Sequence, residues 1–272
     1  MNGGREIHLN LLHIVLLGLV QGLTEFLPIS STAHLILLPV VFDWPDQGLA
    51  HDVAAHLGTL AAVVVYFRKE LARMCRRATF SMGPGSGPEE RLLWYVLLGA
   101  APVAFAGLLL HGMAQDALRS PLVIAGATVL FALVLWYADH AGKRRRSQDQ
   151  IRWQDAVLIG LAQCLAIIPG TSRSGITMTA ALLLGFDRTS ASRFSFLLSI
   201  PTILMAGIYE SYMLGPVALN GMWTSLAMVA LLSGVSAWIA IHYFLKFIER
   251  TGMTPYVIYR LILGLVLFRI FL

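Results

Sequence analysis

Long apolar runs alternate with short polar breaks along the 272-residue chain, and the runs fall near 8–27, 32–42, 49–67, 93–111, 121–138, 155–168, 174–186, 194–213, 223–245 and 255–271. A helix that crosses a bilayer core needs about 20 apolar residues, with a range of roughly 17–25. Six runs predict full spans: 49–67, 93–111, 121–138, 194–213, 223–245 and 255–271. The runs 32–42, 155–168 and 174–186 are too short to cross, and each adjoins a break containing proline and serine.

Charge gives the breaks a direction. The stretch 68–91 holds Arg68, Lys69, Arg73, Arg76, Arg77 and Arg91, and 139–154 holds Lys143, Arg144, Arg145, Arg146 and Arg152. Loop 187–193 adds Arg188 and Arg193, and 246–254 adds Lys246 and Arg250, whereas 43–48, 112–120 and 214–222 contain only Arg119 between them. Short cytoplasmic loops carry the excess of Lys and Arg, so the first four stretches are expected inside and the last three outside, with KRRRS at 143–147 as a topology signal. Threading the chain through those sides makes 8–42 and 155–186 re-entrant hairpins that enter from opposite faces, and leaves both termini outside.

The predicted fold is therefore an all-α polytopic membrane protein built as an inverted-topology repeat. Its parts are a first repeat at 1–138, a basic cytoplasmic linker at 139–154 and a second repeat at 155–272. GLVQGL at 18–23 matches GLAQCL at 160–165, and PISS at 28–31 matches PGTS at 169–172. Such repeats place their sites where broken helices meet near the midplane.

Composition agrees with the span pattern. The chain is 57% hydrophobic and 13% charged, against roughly 25% charged in soluble domains. Its net charge of +5 sits in short loops and implies no nucleic-acid partner. Cys75 and Cys164 make no disulfide framework, and Cys164 reads as a small buried hydrophobe. Arg5 and the apolar run Leu9 to Val20 resemble a leader, but no small-x-small cleavage site follows, so the segment is expected to be retained.

Two polar fragments interrupt this apolar sequence. In QGLTEFLPISSTAH, positions 21–34, Gln21 and Glu25 are one helical turn apart and Pro28 ends the helix. Ser30, Ser31 and Thr32 then stand where a second half-helix begins, with His34 in its first turn. In PGTSRSG, positions 169–175, Pro169 and Gly170 break the chain, and Thr171, Ser172 and Ser174 surround Arg173. A helix start, glycines and a guanidinium together suit an anion, and phosphate best matches the planar fork. An intramembrane acid or arginine is a functional-site hypothesis by default. Together the tips supply the parts of phosphoryl chemistry: charge neutralisation, a base, and a nucleophile or an oriented water. One carboxylate with substrate phosphates is also a usual way to hold Mg2+.

These fragments resemble the two signature motifs of the undecaprenyl-diphosphate phosphatase family of bacitracin-resistance type. Gln21 and Glu25 fill its Glu-or-Gln-x-x-x-Glu motif, Thr171 fills the variable position of PGxSRSG, and the similarity runs over nearly the whole chain. The resemblance implies hydrolysis of undecaprenyl diphosphate to undecaprenyl phosphate and inorganic phosphate, which recycles the lipid carrier of bacterial cell-wall synthesis and confers bacitracin resistance. It implies a divalent cation, Mg2+ or Ca2+, at Glu25 and Gln21, and a site in the cytoplasmic membrane opening to the outer side. Glu25, Ser31, His34 and Arg173 are the expected catalytic residues. Gln21, Ser30, Thr32, Gly170, Thr171, Ser172 and Ser174 are expected to bind the polyprenyl diphosphate. Many members carry Glu where this chain has Gln21, which leaves Glu25 with most of the negative charge.

Other readings of the same residues stand beside this one. Ser30, Ser31 and Thr32 also serve as helix caps, and Glu25, His34 and Arg173 could be satisfied structural groups. His51, His56, His111 and His242 read as packing or interface residues, and Glu210 as solvated near the outer face. Gly99, Ala100, Gly107 and Gly126 favour close helix contacts, within the fold or in a homodimer. The alternative function is a transporter or flippase of a phosphorylated lipid or anion, which would move its cargo without releasing phosphate.

Overall fold

The computed structural model describes residues 9–80, 87–117, 120–214 and 221–272, and the side chains of Arg77, His111 and Arg119 lie outside what is described. Among the described residues the regular structure is helical. In chain order the α-helices are α1 (Leu11–Glu25), α2 (Ser31–Phe42), α3 (Leu49–Phe80), α4 (Pro88–Ala117), α5 (Pro121–Ala141), α6 (Trp153–Gln163), α7 (Arg173–Leu183), α8 (Arg188–Leu214), α9 (Trp223–Thr251) and α10 (Thr254–Phe271). Six of them, α3, α4, α5, α8, α9 and α10, are long and apolar enough to cross a membrane. The chain is an all-α polytopic membrane protein.

The polar stretches 68–91, 139–154 and 246–254 open as helix rather than as loop, because α3 runs on to Phe80, α5 to Ala141 and α9 to Thr251. Lys and Arg are good helix formers, so a basic run at a membrane edge ends the apolar span without ending the helix. The expected segment 155–168 divides into α6 and a 3-10 turn at Cys164–Ile167.

α1 packs on α9 and α6 packs on α4, while α3 lies against both α8 and α9, and α5 pairs with α10. Small residues set the close crossings. A Cβ on Gly22 would stand 2.0 Å from Ser236 Oγ, and one on Gly160 would stand 2.3 Å from the Gly99 carbonyl oxygen. Gly99 thus serves an internal helix contact, whereas a Cβ on Gly107 or Gly126 would meet nothing within 4 Å. Large apolar side chains such as Phe105, Leu231 and Leu265 face outward, as lipid-facing positions must.

The four basic stretches meet at one end of the bundle. Arg188 forks onto Asp139 at 2.6 and 2.9 Å, and Asp139 also accepts the Met253 amide at 3.1 Å. The Thr189 amide donates to Glu249 at 2.7 Å, while Arg193 pairs with Glu70 and donates to Gln148 at 3.0 Å. Arg146 donates to Asp155 at 2.9 Å and to the Leu184 carbonyl at 3.1 Å, which holds the start of α6 beside the end of α7. At the opposite end His13 stacks on Trp44 at 4.4 Å, bringing the start of α1 beside the end of α2. There His51 hydrogen-bonds Ser225 at 3.0 Å, so it is an interface histidine, and His242 stacks on Trp238 elsewhere in the bundle.

Candidate active site

Both helix breaks turn on a serine. Ser30 has φ 70° and ψ 90°, Ser172 has φ 68° and ψ 109°, and a helix begins at the next residue each time. A left-handed non-glycine residue costs about 1–3 kcal/mol and persists only where the surroundings enforce it. At the second break Gly170 has φ 92°, and a Cβ there would stand 2.3 Å from the Ile124 carbonyl oxygen, so glycine is required. Ser172 Oγ caps α7 by accepting the Gly175 amide at 3.2 Å. Ser174 Oγ donates to the Leu27 carbonyl at 2.9 Å, which ties one break to the other.

The tips meet at Glu25. Arg173 Nη2 donates to Glu25 Oε1 at 2.9 Å, across 148 residues of sequence. The other carboxylate oxygen, Oε2, accepts Ser31 Oγ at 2.8 Å and Gln21 Nε2 at 3.0 Å, and His56 Nε2 lies 3.7 Å away. The ion pair is nearly shut off from solvent, with side-chain exposures of 13% and 7%. Phe26 lies beneath, its ring 6.0 Å from the guanidinium. Two buried opposite charges that share hydrogen bonds are far more strongly coupled than a surface pair.

A cavity of about 270 Å³ opens on this pair. Of the residues expected from sequence, Glu25, Ser30, Ser31, Thr32, Gly170, Ser172 and Arg173 line it. Gln21 stands behind Glu25, fully buried. Thr171 and Ser174 are buried in the wall, where the Ser174 hydroxyl is used by Leu27. His34 points elsewhere: its Nδ1 meets the Ser30 carbonyl at 2.8 Å and its Nε2 meets the Tyr259 hydroxyl at 2.6 Å. It braces the α2 start against α10 and does not face Glu25.

Three residues join the site that the sequence reading placed elsewhere or passed over. His56 lines the cavity, and because its Nδ1 bonds the Asp52 carbonyl at 2.8 Å, its Nε2 is left for Glu25. It is therefore no mere packing residue. Glu210 lines the same cavity instead of only facing solvent. Arg260, wholly buried in α10, donates to the Gly170 and Thr171 carbonyls at 3.0 and 2.9 Å and so pins the second break from behind. Its signal was present, an arginine within the apolar span 255–271 and well short of Arg269 at the span's end, since intramembrane arginine is expensive. His56 carried a fainter mark, a histidine early in the span 49–67 near the first hairpin, and only tertiary packing brings α3 to the tips.

No group of three or more His, Cys, Asp or Glu that could hold a metal occurs among the described residues. The donor set is still one for a hard cation: the Glu25 carboxylate, with the buried Gln21 Oε1 left without a partner beside it. An ion held through one carboxylate, water and phosphate oxygens fits these residues, and a preformed all-protein cage does not.

The family model described as bacitracin resistance protein BacA matches residues 14–266. An undecaprenyl-diphosphatase of Nitrosococcus oceani is 55% identical over 264 residues, covering 97% of this chain and 100% of the relative. One from Thioalkalivibrio sulfidiphilus is 54% identical, with 97% and 100% covered, and undecaprenyl-diphosphatase 2 of Stutzerimonas stutzeri is 53% identical, with 97% and 99% covered.

Proposed function

This chain belongs to the bacitracin resistance protein BacA family, and on that premise we propose that it hydrolyses undecaprenyl diphosphate to undecaprenyl phosphate and inorganic phosphate. The reaction recycles the lipid carrier of bacterial cell-wall synthesis and so confers bacitracin resistance. The observation that carries the reading at the level of chemistry is the Glu25–Arg173 contact of 2.9 Å on the wall of a cavity at two helix starts.

The diphosphate enters that cavity and exchanges Arg173 from Glu25 to its own oxygens. The guanidinium then carries the equatorial charge that spreads over the transferring phosphoryl group. Backbone N–H groups at the starts of α2 and α7 add donors that need no reorganisation. Ser31 Oγ, already donating to Glu25 at 2.8 Å, has the geometry of a nucleophile with its base, and the same carboxylate can instead orient a water. His56 places a second proton-exchanging nitrogen at the same oxygen. Ser30, Thr32 and Ser172 offer hydroxyls to the phosphates, while Gln21, His34, Thr171, Ser174 and Arg260 hold the two breaks in place. Glu25, with Gln21 behind it, would hold a divalent cation of the Mg2+ or Ca2+ type, which when bound neutralises charge on the diphosphate.

The halves 1–138 and 155–272 form an inverted repeat whose short helix pairs are re-entrant, in the bacterial cytoplasmic membrane, with the basic end in the cytoplasm and the cavity opening outward. The mirrored pairing of α1 with α9 and α6 with α4 supports it, as do the hairpin ends held by Trp44 and Arg146. The test is product analysis with purified protein: undecaprenyl diphosphate should yield undecaprenyl phosphate and phosphate in equal amounts. A carrier would instead move labelled lipid across vesicles with no phosphate released, and that result would reject the proposal.

A further inference from the structure

A second cavity, of about 590 Å³, lies between α4 and α8. It shares Val103, Ile167, Thr202, Ala206 and Glu210 with the cavity at Glu25, so the two are continuous. Their linings differ in character. The first presents Glu25, Arg173, His56 and hydroxyls, whereas the second, beyond Thr202 and Glu210, is walled by side chains such as Leu108, Met205, Ile208 and Tyr212. Leu108 is 70% exposed, Ile208 62% and Tyr212 80%, so the groove opens sideways, where lipid surrounds the bundle. On the α4 side Ala104 and Gly107 keep it wide, and a Cβ on Gly107 would meet nothing within 4 Å.

We propose that this groove holds the first isoprene units of the substrate's own hydrocarbon chain and thereby sets the chain length the enzyme requires. The inference rests on the phosphatase reading. A prenyl diphosphate is one covalent molecule, so when its phosphates reach Arg173 its chain must leave through an opening connected to that cavity. The groove is such an opening, and it becomes apolar where the phosphates end. Its sideways mouth lets the substrate slide in from the membrane without lifting apolar surface into water, a cost that grows with every methylene. The volume suits a few isoprene units, and the rest of the chain stays in lipid.

The experiment compares isopentenyl, farnesyl and undecaprenyl diphosphates as substrates of the purified protein in wild-type, Gly107→Phe and Ala104→Phe forms. Wild-type kcat/KM should rise steeply from isopentenyl to farnesyl diphosphate and little beyond. Filling the groove should raise KM for the two longer substrates roughly tenfold or more, leave their kcat within about twofold, and spare isopentenyl diphosphate. Gly126→Phe, which also adds a ring where a Cβ would meet nothing but lies outside the groove, should behave as wild type. Wild-type KM for the longer substrates in both filled forms overturns the groove, as does equal loss on all three. If wild-type protein hydrolyses none of them, the phosphatase reading itself fails and takes the groove with it. As a second readout, a photoreactive prenyl diphosphate on the unaltered protein should label peptides covering 103–108 and 202–212, and exclusive labelling elsewhere contradicts the proposal.

Discussion

Glu25 and Arg173 stabilise each other only as a pair. Removing one partner of a buried ion pair costs about 3–5 kcal/mol because a lone charge stays behind, while replacing both by apolar groups is often nearly neutral. Arg173→Met should therefore lower the melting temperature of detergent-purified protein more than the double change Arg173→Met with Glu25→Met does. A double variant as unstable as the two single losses combined would contradict the coupling. His56 makes a different prediction, because it lines the cavity with its Nε2 3.7 Å from Glu25. His56→Ala should cut phosphate release by about 10²-fold or more with little change in melting temperature. Glu25, Ser31 and Arg173 were legible in the sequence because polar groups inside apolar runs are conspicuous. The orientation of His34 toward Tyr259 was not, since nothing in SSTAH says which neighbour its ring will find.

At the scale of elements, the two breaks do the same job with related residues. The match of PISS to PGTS anticipated that both would turn and restart a helix. It did not anticipate the positive φ at Ser30 and Ser172, because serine gives no sign of the backbone it adopts, whereas Gly170 announces its own. Gly170→Ala should be among the most damaging small substitutions in the chain, costing about 1–3 kcal/mol for the backbone alone, with a steric clash against Ile124 in addition. Thermal denaturation and phosphate release should fall together, and an alanine variant with wild-type stability would show that the break can be rebuilt. The spans were legible to within one residue at their apolar ends, except that α4 runs to Ala117, six residues past the expected 111. Their basic ends were not, because the helices run on past the hydrocarbon edge.

For the whole molecule, the basic stretches counted to one side do gather at one end through Arg188–Asp139, Arg193–Glu70 and Thr189–Glu249. Their side of the membrane can be measured. Cys75, exposed near that end, should resist an impermeant maleimide in intact spheroplasts and react once the membrane is opened. A cysteine at the exposed Asp46, in a Cys75→Ser background, should react from outside without opening. The reverse pattern would invert the molecule. The apolar periodicity and the loop charges carried this architecture because the bilayer imposes both, while the meeting of the tips depended on packing that only the folded chain displays. The proposed function rests on that meeting, which is tested most directly by single-turnover phosphate release from undecaprenyl diphosphate by wild type, Glu25→Gln and Arg173→Lys. Both variants should bind the lipid and release phosphate at least about 10²-fold more slowly than wild type; wild-type rates in either would contradict a shared site at the two tips.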